Sequence, residues 1–259
     1  MMSFCTVIRH VADELRIISP SSVAVGSFDG LHLGHRALIN RLKEIAAERD
    51  TASLVVTFDP HPRLVLAPDS DFRLLTTTRE KQAIFSKLGI DYSAYIPFDD
   101  PYYNRKTYGR FVKWLQMAFD MESLLIGYNH RFGLGGKGGA HNIGRLAKKY
   151  GFESEVFGQH LVDGMTVSSS EVRRVISEGD MVLAAKLLGE PYLAILDKEI
   201  GGIWHSDHPA KLLPPPDIYR VVANGYECEC LVREDGTIKI SQPLHEKQAH
   251  VLFIDKYQY

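Results

Sequence analysis

The chain has 259 residues, 45% of them hydrophobic and 24% charged, a composition that excludes disordered, collagen-like and membrane-embedded chains. Thirty Lys and Arg nearly balance 32 Asp and Glu for a formal charge of −2, so no basic field marks a nucleic-acid or anionic-membrane partner. At about 150 residues per domain the length allows between one domain and two.

Residues 1–17 carry Arg9, Asp13, Glu14 and Arg16 with no long apolar run, a pattern of neither a secretory leader nor a spanning helix. A buried strand is predicted at 22–25, followed by a helix over 36–48 with Ala37, Leu38, Leu42, Ile45 and Ala46 on one stripe. The next strand, 53–58, is too apolar to face water on either side. Thr77 and Glu80 have capping-box spacing and open a helix that runs to Gly89. Strands at 92–96, 123–126 and 153–157 alternate with helices at 107–118 and 142–150, and short helices follow at 170–177 and 181–188. Five such alternations imply right-handed crossovers and a parallel sheet covered on both faces, with ligands beyond the carboxyl ends of the strands.

After Gly189-Glu190-Pro191 the helical periodicity stops. Alternating stretches at 219–222, 227–232, 237–240 and 250–254, punctuated by Gly201-Gly202, Pro214-Pro215-Pro216 and Asp235-Gly236, predict a small all-β module. The three cysteines, Cys5, Cys228 and Cys230, form no disulfide framework and fit a reducing cytoplasm. Cys228-x-Cys230 is too sparse for a structural zinc site, and no metal site is expected.

The most informative segment is Gly26-Ser27-Phe28-Asp29-Gly30-Leu31-His32-Leu33-Gly34-His35, between the first strand and the first helix. Its glycines admit a phosphate chain close to the backbone, and two histidines three apart at a helix N-terminus suit phosphate. His32-x-Gly34-His35 after Gly-x-Phe-Asp-Gly resembles the nucleotidyltransferase superfamily, and in this longer form the bacterial FAD synthetases. Thr57-Phe58-Asp59-Pro60-His61-Pro62, Gly127-Tyr128-Asn129-His130-Arg131-Phe132-Gly133 and Ser168-Ser169-Ser170-Glu171-Val172-Arg173 occur in the order that family has, and the resemblance covers about residues 18–193.

That resemblance implies an α/β fold, a Rossmann-like nucleotidyltransferase domain over 1–190 and a β-rich module over 191–259. It implies AMP transfer from ATP, with Mg²⁺, to FMN, giving FAD and pyrophosphate. His32, His35 and Arg173 would be catalytic; Gly26, Ser27, Phe28, Asp29, Gly30, Ser168 and Ser169 would join them in binding ATP. Asp59, Pro60, His61, Pro62, Asn129, Arg131 and Phe132 would face FMN, although Phe132 equally suits a core. Asn129 and His130 depart from the family's Gly-x-Asp-Phe-x-Phe-Gly pattern.

Bifunctional relatives continue into a riboflavin kinase barrel with a Gly-x-Pro-Thr-Ala-Asn element, which is missing here, so the tail is expected to be a kinase-inactive remnant. Two other functions compete: a flavin- or nucleotide-binding regulator that has lost catalysis, and an adenylyltransferase with another phosphorylated acceptor. Gly133-Leu134-Gly135-Gly136-Lys137-Gly138 matches Gly-x-Gly-x-x-Gly but does not pass from a strand straight into a helix, so a mobile loop is predicted there rather than a dinucleotide fingerprint. His205 and His208 are read as surface residues.

Overall fold

The computed structural model describes residues 5–8, 20–162 and 165–257; the sequence reading of residues 1–4 and 9–17 lies outside them. In chain order the elements are β1 (Thr6–Ile8), β2 (Ser21–Val25), α1 (Leu33–Arg49), β3 (Ala52–Phe58), α2 (Pro62–Leu66), α3 (Thr78–Lys87), β4 (Tyr92–Ile96), α4 (Pro101–Asn104), α5 (Tyr108–Phe119), β5 (Met121–Gly127), β6 (Arg131–Phe132), β7 (Gly138–Gly139), α6 (Ala140–Tyr150) and β8 (Glu153–Phe157). There follow β9 (Leu161–Val162), β10 (Met165–Thr166), α7 (Ser169–Ser177), α8 (Met181–Leu188), β11 (Tyr192–Lys198), β12 (Trp204–Ser206), β13 (Asp217–Ala223), β14 (Tyr226–Val232), β15 (Ile238–Ile240) and β16 (Gln248–Lys256).

The chain divides into two compact units. The first contains residues 1–28, 35–70 and 82–160; the second contains 29–34, 71–81 and 161–259.

The first unit is built on a six-stranded parallel sheet in the order β1-β4-β3-β2-β5-β8. β2 is buried along its whole length, as its unbroken small and β-branched run requires of a central parallel strand. Local chemistry sets the helix ends. The Thr107 hydroxyl accepts the Arg110 amide to start α5, and Gly151 in the left-handed region ends α6. Val23, Leu54, Ala94, Phe111, Leu115, Leu124 and Ile143 belong to one core.

The second unit is a closed six-stranded barrel, β11-β12-β15-β14-β13-β16, with α7 and α8 packed on its core. Tyr219, Val221 and Ala223 of β13, Cys230 and Val232 of β14, and Ala249, Val251 and Phe253 of β16 point inward at every second position, the period of a strand with one dry face. Leu75, from far earlier in the chain, shares this core.

The predicted parallel sheet and β module are both present. Additional elements are β1, the two-residue strands β6, β7, β9 and β10, the short helices α2 and α4, and the first barrel strands β11 and β12. The segment 133–138, expected to be a loop, connects β6 and β7, which pair as a short hairpin around one 3₁₀ turn. A Cβ on Gly138 would come within 2.6 Å of the Phe132 ring, and the Asn142 side chain accepts the Gly139 amide, so these glycines serve close packing. Cys5, Cys228 and Cys230 are free, and no group of three metal-binding side chains occurs among the described residues. No helix among the described residues is long and apolar enough to cross a membrane.

Candidate active site

In the first unit the chain steps from β2 outward through β3 and β4, then returns to the other side of β2 as β5. Such a reversal leaves a crevice beyond the carboxyl ends of the two strands, where open α/β sheets bind ligands. Gly26 leaves β2 there: its amide donates to the Val56 carbonyl at 3.1 Å, and the Thr57 hydroxyl donates to the Ser27 carbonyl at 3.2 Å. A Cβ on Gly26 would lie 2.9 Å from the Phe28 ring, so this turn closes only around glycine.

Phe28 is 1% exposed, and its backbone is in the left-handed region with φ +46°. For a bulky side chain that conformation is strained and needs support from packing. Its ring meets the His35 imidazole edge-on at 5.4 Å and the Phe85 ring at 5.8 Å. The sequence expects Phe28 at ATP; its side chain is buried between His35 and Phe85, which leaves its backbone as the part that could face a nucleotide. His35 occupies the first turn of α1, which contains no acidic residue, so the helix dipole and its leading N–H groups favour an anion.

At the carboxyl end of β3, the Asp59 amide donates to Ile96, and the Asp59 side chain is exposed. His61 caps α2: its Nδ1 accepts the Arg63 amide at 3.1 Å, and Pro62 supplies a first-turn residue with no N–H to satisfy. Beyond β5, Asn129 and Arg131 are exposed, with the Arg131 guanidinium 3.4 Å from His141 Nδ1. Phe132 is buried in the core between His130 and Phe111, at ring distances of 5.9 and 6.0 Å, the packing that one of its two sequence readings describes. His130 Nε2 is buried with no hydrogen-bond partner, and burial pulls the imidazole down to about 4, leaving it neutral.

The second unit contains His32, which is 7% exposed, and the loop around it. Asp29, 2% exposed, is the anchor: one carboxylate oxygen accepts the amides of Leu75 and Thr76, each at 3.0 Å, and the Thr76 hydroxyl at 3.2 Å. Its other oxygen receives the Arg173 guanidinium. The Gly30 amide donates to the Thr76 hydroxyl at 3.0 Å. Gly30 has φ +86°, and a Cβ there would lie 2.7 Å from Leu75 Cδ1, so no other residue fits.

Ser169 donates its hydroxyl to the Asp29 carbonyl at 2.8 Å, while Ser168 caps α7 by accepting the Glu171 amide. Arg173 also donates Nε to the Arg73 carbonyl and stacks over the Phe72 ring at 4.3 Å. The sequence expects Asp29, Ser168, Ser169 and Arg173 to bind ATP; here Asp29, Ser169 and Arg173 also bond to one another's surroundings in the loop, and Ser168 caps α7. Thr76, which bonds both Asp29 and Gly30, was not singled out from sequence, because nothing in its local pattern distinguishes it from Thr77 and Thr78.

Residues 15–171 match the FAD synthetase family. The chain belongs to the FAD synthetase family. Its curated relatives include the bifunctional riboflavin kinase/FMN adenylyltransferases of Listeria monocytogenes, 32% identical over 171 residues, and Escherichia coli K12, 30% identical over 170. Each alignment covers 66% of this chain and 54% of the relative, so the chain spans about half the length of the curated relatives it matches. A solved Streptococcus pneumoniae structure described as a macrolide-efflux protein superposes with a TM-score of 0.83 over 98% of this chain and 91% of that one, at 18% identity. That likeness establishes the fold alone. The family match ends at residue 171, so every barrel strand lies outside it.

Proposed function

We propose that this FAD synthetase family member transfers the adenylyl group of MgATP to FMN, forming FAD and pyrophosphate, and that its barrel does not phosphorylate riboflavin. The observation that carries the reading is His35 in an acid-free first turn of α1, packed edge-on against the buried Phe28 ring beyond the carboxyl end of the central strand. His32, three residues before it, and His35 would meet the ATP phosphates. A phosphate oxygen of FMN attacks the α-phosphorus in line; the bond from that phosphorus to the bridging oxygen breaks, and pyrophosphate leaves with the electron pair. Such a step asks the protein for positioning and charge stabilisation, and each preorganised charge contact is worth about 3 kcal/mol in the transition state.

Arg173 acts in this scheme through Asp29, as a support for the His32 loop. The exposed side chains of Asp59, Asn129 and Arg131 suit the flavin side, with Arg131 the natural partner of the FMN phosphate. Three free cysteines fit a reducing cytoplasm. The missing Pro-Thr-Ala-Asn element supports a barrel without kinase activity.

Incubation with FMN and MgATP, followed by chromatographic resolution of the flavins, is expected to yield FAD, and riboflavin in place of FMN is expected to yield no FMN. The reduced tail, the Asn129 and His130 departures and the pairing of Arg173 with Asp29 favour the regulator reading, and tight FMN binding without FAD formation would support it. Neither binding nor turnover of FMN would point to another phosphorylated acceptor.

A further inference from the structure

Glu80 and Lys211 stand 131 residues apart in sequence and form an ion pair at 2.6 Å in which both side chains are wholly buried. Every donor and acceptor of the pair is used. Lys211 Nζ also donates to the carbonyls of Leu75 and Leu193, each at 2.8 Å, so its three protons have three partners. Glu80 accepts the Thr77 amide at 2.8 Å and the Ile195 amide of β11 at 2.9 Å. Burial raises the Glu80 carboxyl and lowers the Lys211 ammonium, and each partner opposes the other's shift.

The surrounding backbone repeats the attachment. Leu74 and Lys211 form a parallel bridge, in which the Leu74 amide donates to Ala210 at 2.7 Å and the Leu212 amide donates to Leu74 at 2.8 Å. The Tyr192 hydroxyl lies within hydrogen-bond distance of the carbonyls of Leu75 and Leu212 and shares its one proton between them. Segment 71–81 is thus fastened to the barrel through the Leu75 carbonyl, while the Leu75 amide holds the Asp29 carboxylate.

A buried ion pair is a poor source of stability, since apolar residues of similar volume do as well or better; what it provides is one fixed geometry. Here the fixed object is a two-sided strip: barrel on one side, Asp29 and Gly30 on the other, with His32 two residues beyond. We propose that Glu80 and Lys211 are positioning residues for adenylyl transfer, through which the C-terminal barrel sets the Asp29–His32 loop. The inference rests on the adenylyl-transfer reading and gives the barrel a role in that reaction independent of any kinase activity.

The test uses the full chain in three forms: wild type, the Glu80→Gln/Lys211→Met double variant, and Glu80→Gln, which keeps the size of the side chain and an oxygen for one of the two amides. Amide hydrogen exchange over residues 29–34 and 217–223 is followed alongside kcat and KM for FMN, normalised to the folded fraction from near-ultraviolet circular dichroism. In the double variant, exchange at 29–34 is expected to rise and kcat to fall, each by about tenfold or more, with KM for FMN and exchange at 217–223 unchanged. Glu80→Gln should fall between, and it carries the same readouts should the double variant not fold. Wild-type exchange at 29–34 in a folded variant overturns the proposal. So does unchanged kcat, or a loss no greater than the unfolded fraction. If the wild type forms no FAD, the adenylyl-transfer reading fails on its own, and the exchange arm still judges the coupling of barrel to loop.

Discussion

The Arg173 guanidinium and the Asp29 carboxylate form a nearly buried ion pair, 17% and 2% exposed, whose acid belongs to the loop of His32. Removing one partner of such a pair leaves an uncompensated charge. Arg173→Met is therefore expected to cost about 3 kcal/mol in urea unfolding, and Arg173→Lys less, because it keeps the charge while losing the planar fork. A cost below about 0.5 kcal/mol for Arg173→Met would show that solvent already screens the pair.

His32 and His35 are expected to act on phosphate charge that grows in the transition state. Alanine at either position should lower kcat by about 100-fold or more while FMN affinity, followed by flavin fluorescence, stays within about twofold. Equal losses in kcat and FMN affinity would move these histidines from the reaction to flavin binding.

Phe28 links packing to that chemistry. Phe28→Ala should destabilise the protein by about 3 kcal/mol through the cavity it leaves. It should also reduce kcat in the fraction that remains folded, because His35 loses the ring that faces it at 5.4 Å. Chemical denaturation and folded-fraction kinetics separate the two effects; an unchanged kcat would show that α1 alone orients the imidazole.

His130 makes stability depend on pH. Its folded value is about 4 against an ordinary 6.5, so between those values the unfolded chain binds a proton that the folded chain does not. Stability from this group is complete above pH 6.5 and is lost as pH falls toward 4, on the order of 3 kcal/mol at the acid limit. The loss from pH 7 to 4.5 in urea unfolding should be smaller for His130→Phe than for wild type. Equal losses would mean the imidazole protonates without disturbing its stack on Phe132.

The sheet was legible because its central strands β2 and β3 are apolar runs that only a two-sided burial explains, and Thr77 with Glu80 marks a helix start by local chemistry alone. The candidate histidines were legible for the same reason: strand, glycine turn and helix start are contiguous there. The grouping of residues 29–34 and 71–81 with the barrel was not, because it depends on Glu80 meeting Lys211 and on Leu75 joining the barrel core, and neither leaves a periodicity. Ser169 and Arg173 have the side chains a phosphate site would use, and the bonds that join them to Asp29, across 140 and 144 positions, leave no trace in the local pattern. Phe132 was ambiguous because an aromatic after a strand suits both a flavin and a core.

Closure of the barrel sets an order on biosynthesis. β16 pairs with both β11 and β13, so the cylinder is incomplete until residues 248–256 have emerged from the ribosome. The parallel sheet has all its strands by residue 157 and can condense while translation continues. Asp29 and His32 therefore wait for residues made more than 200 positions later before the unit they belong to is complete. A nascent chain stalled before residue 248 would contain every motif of the reaction and lack the finished geometry around Asp29.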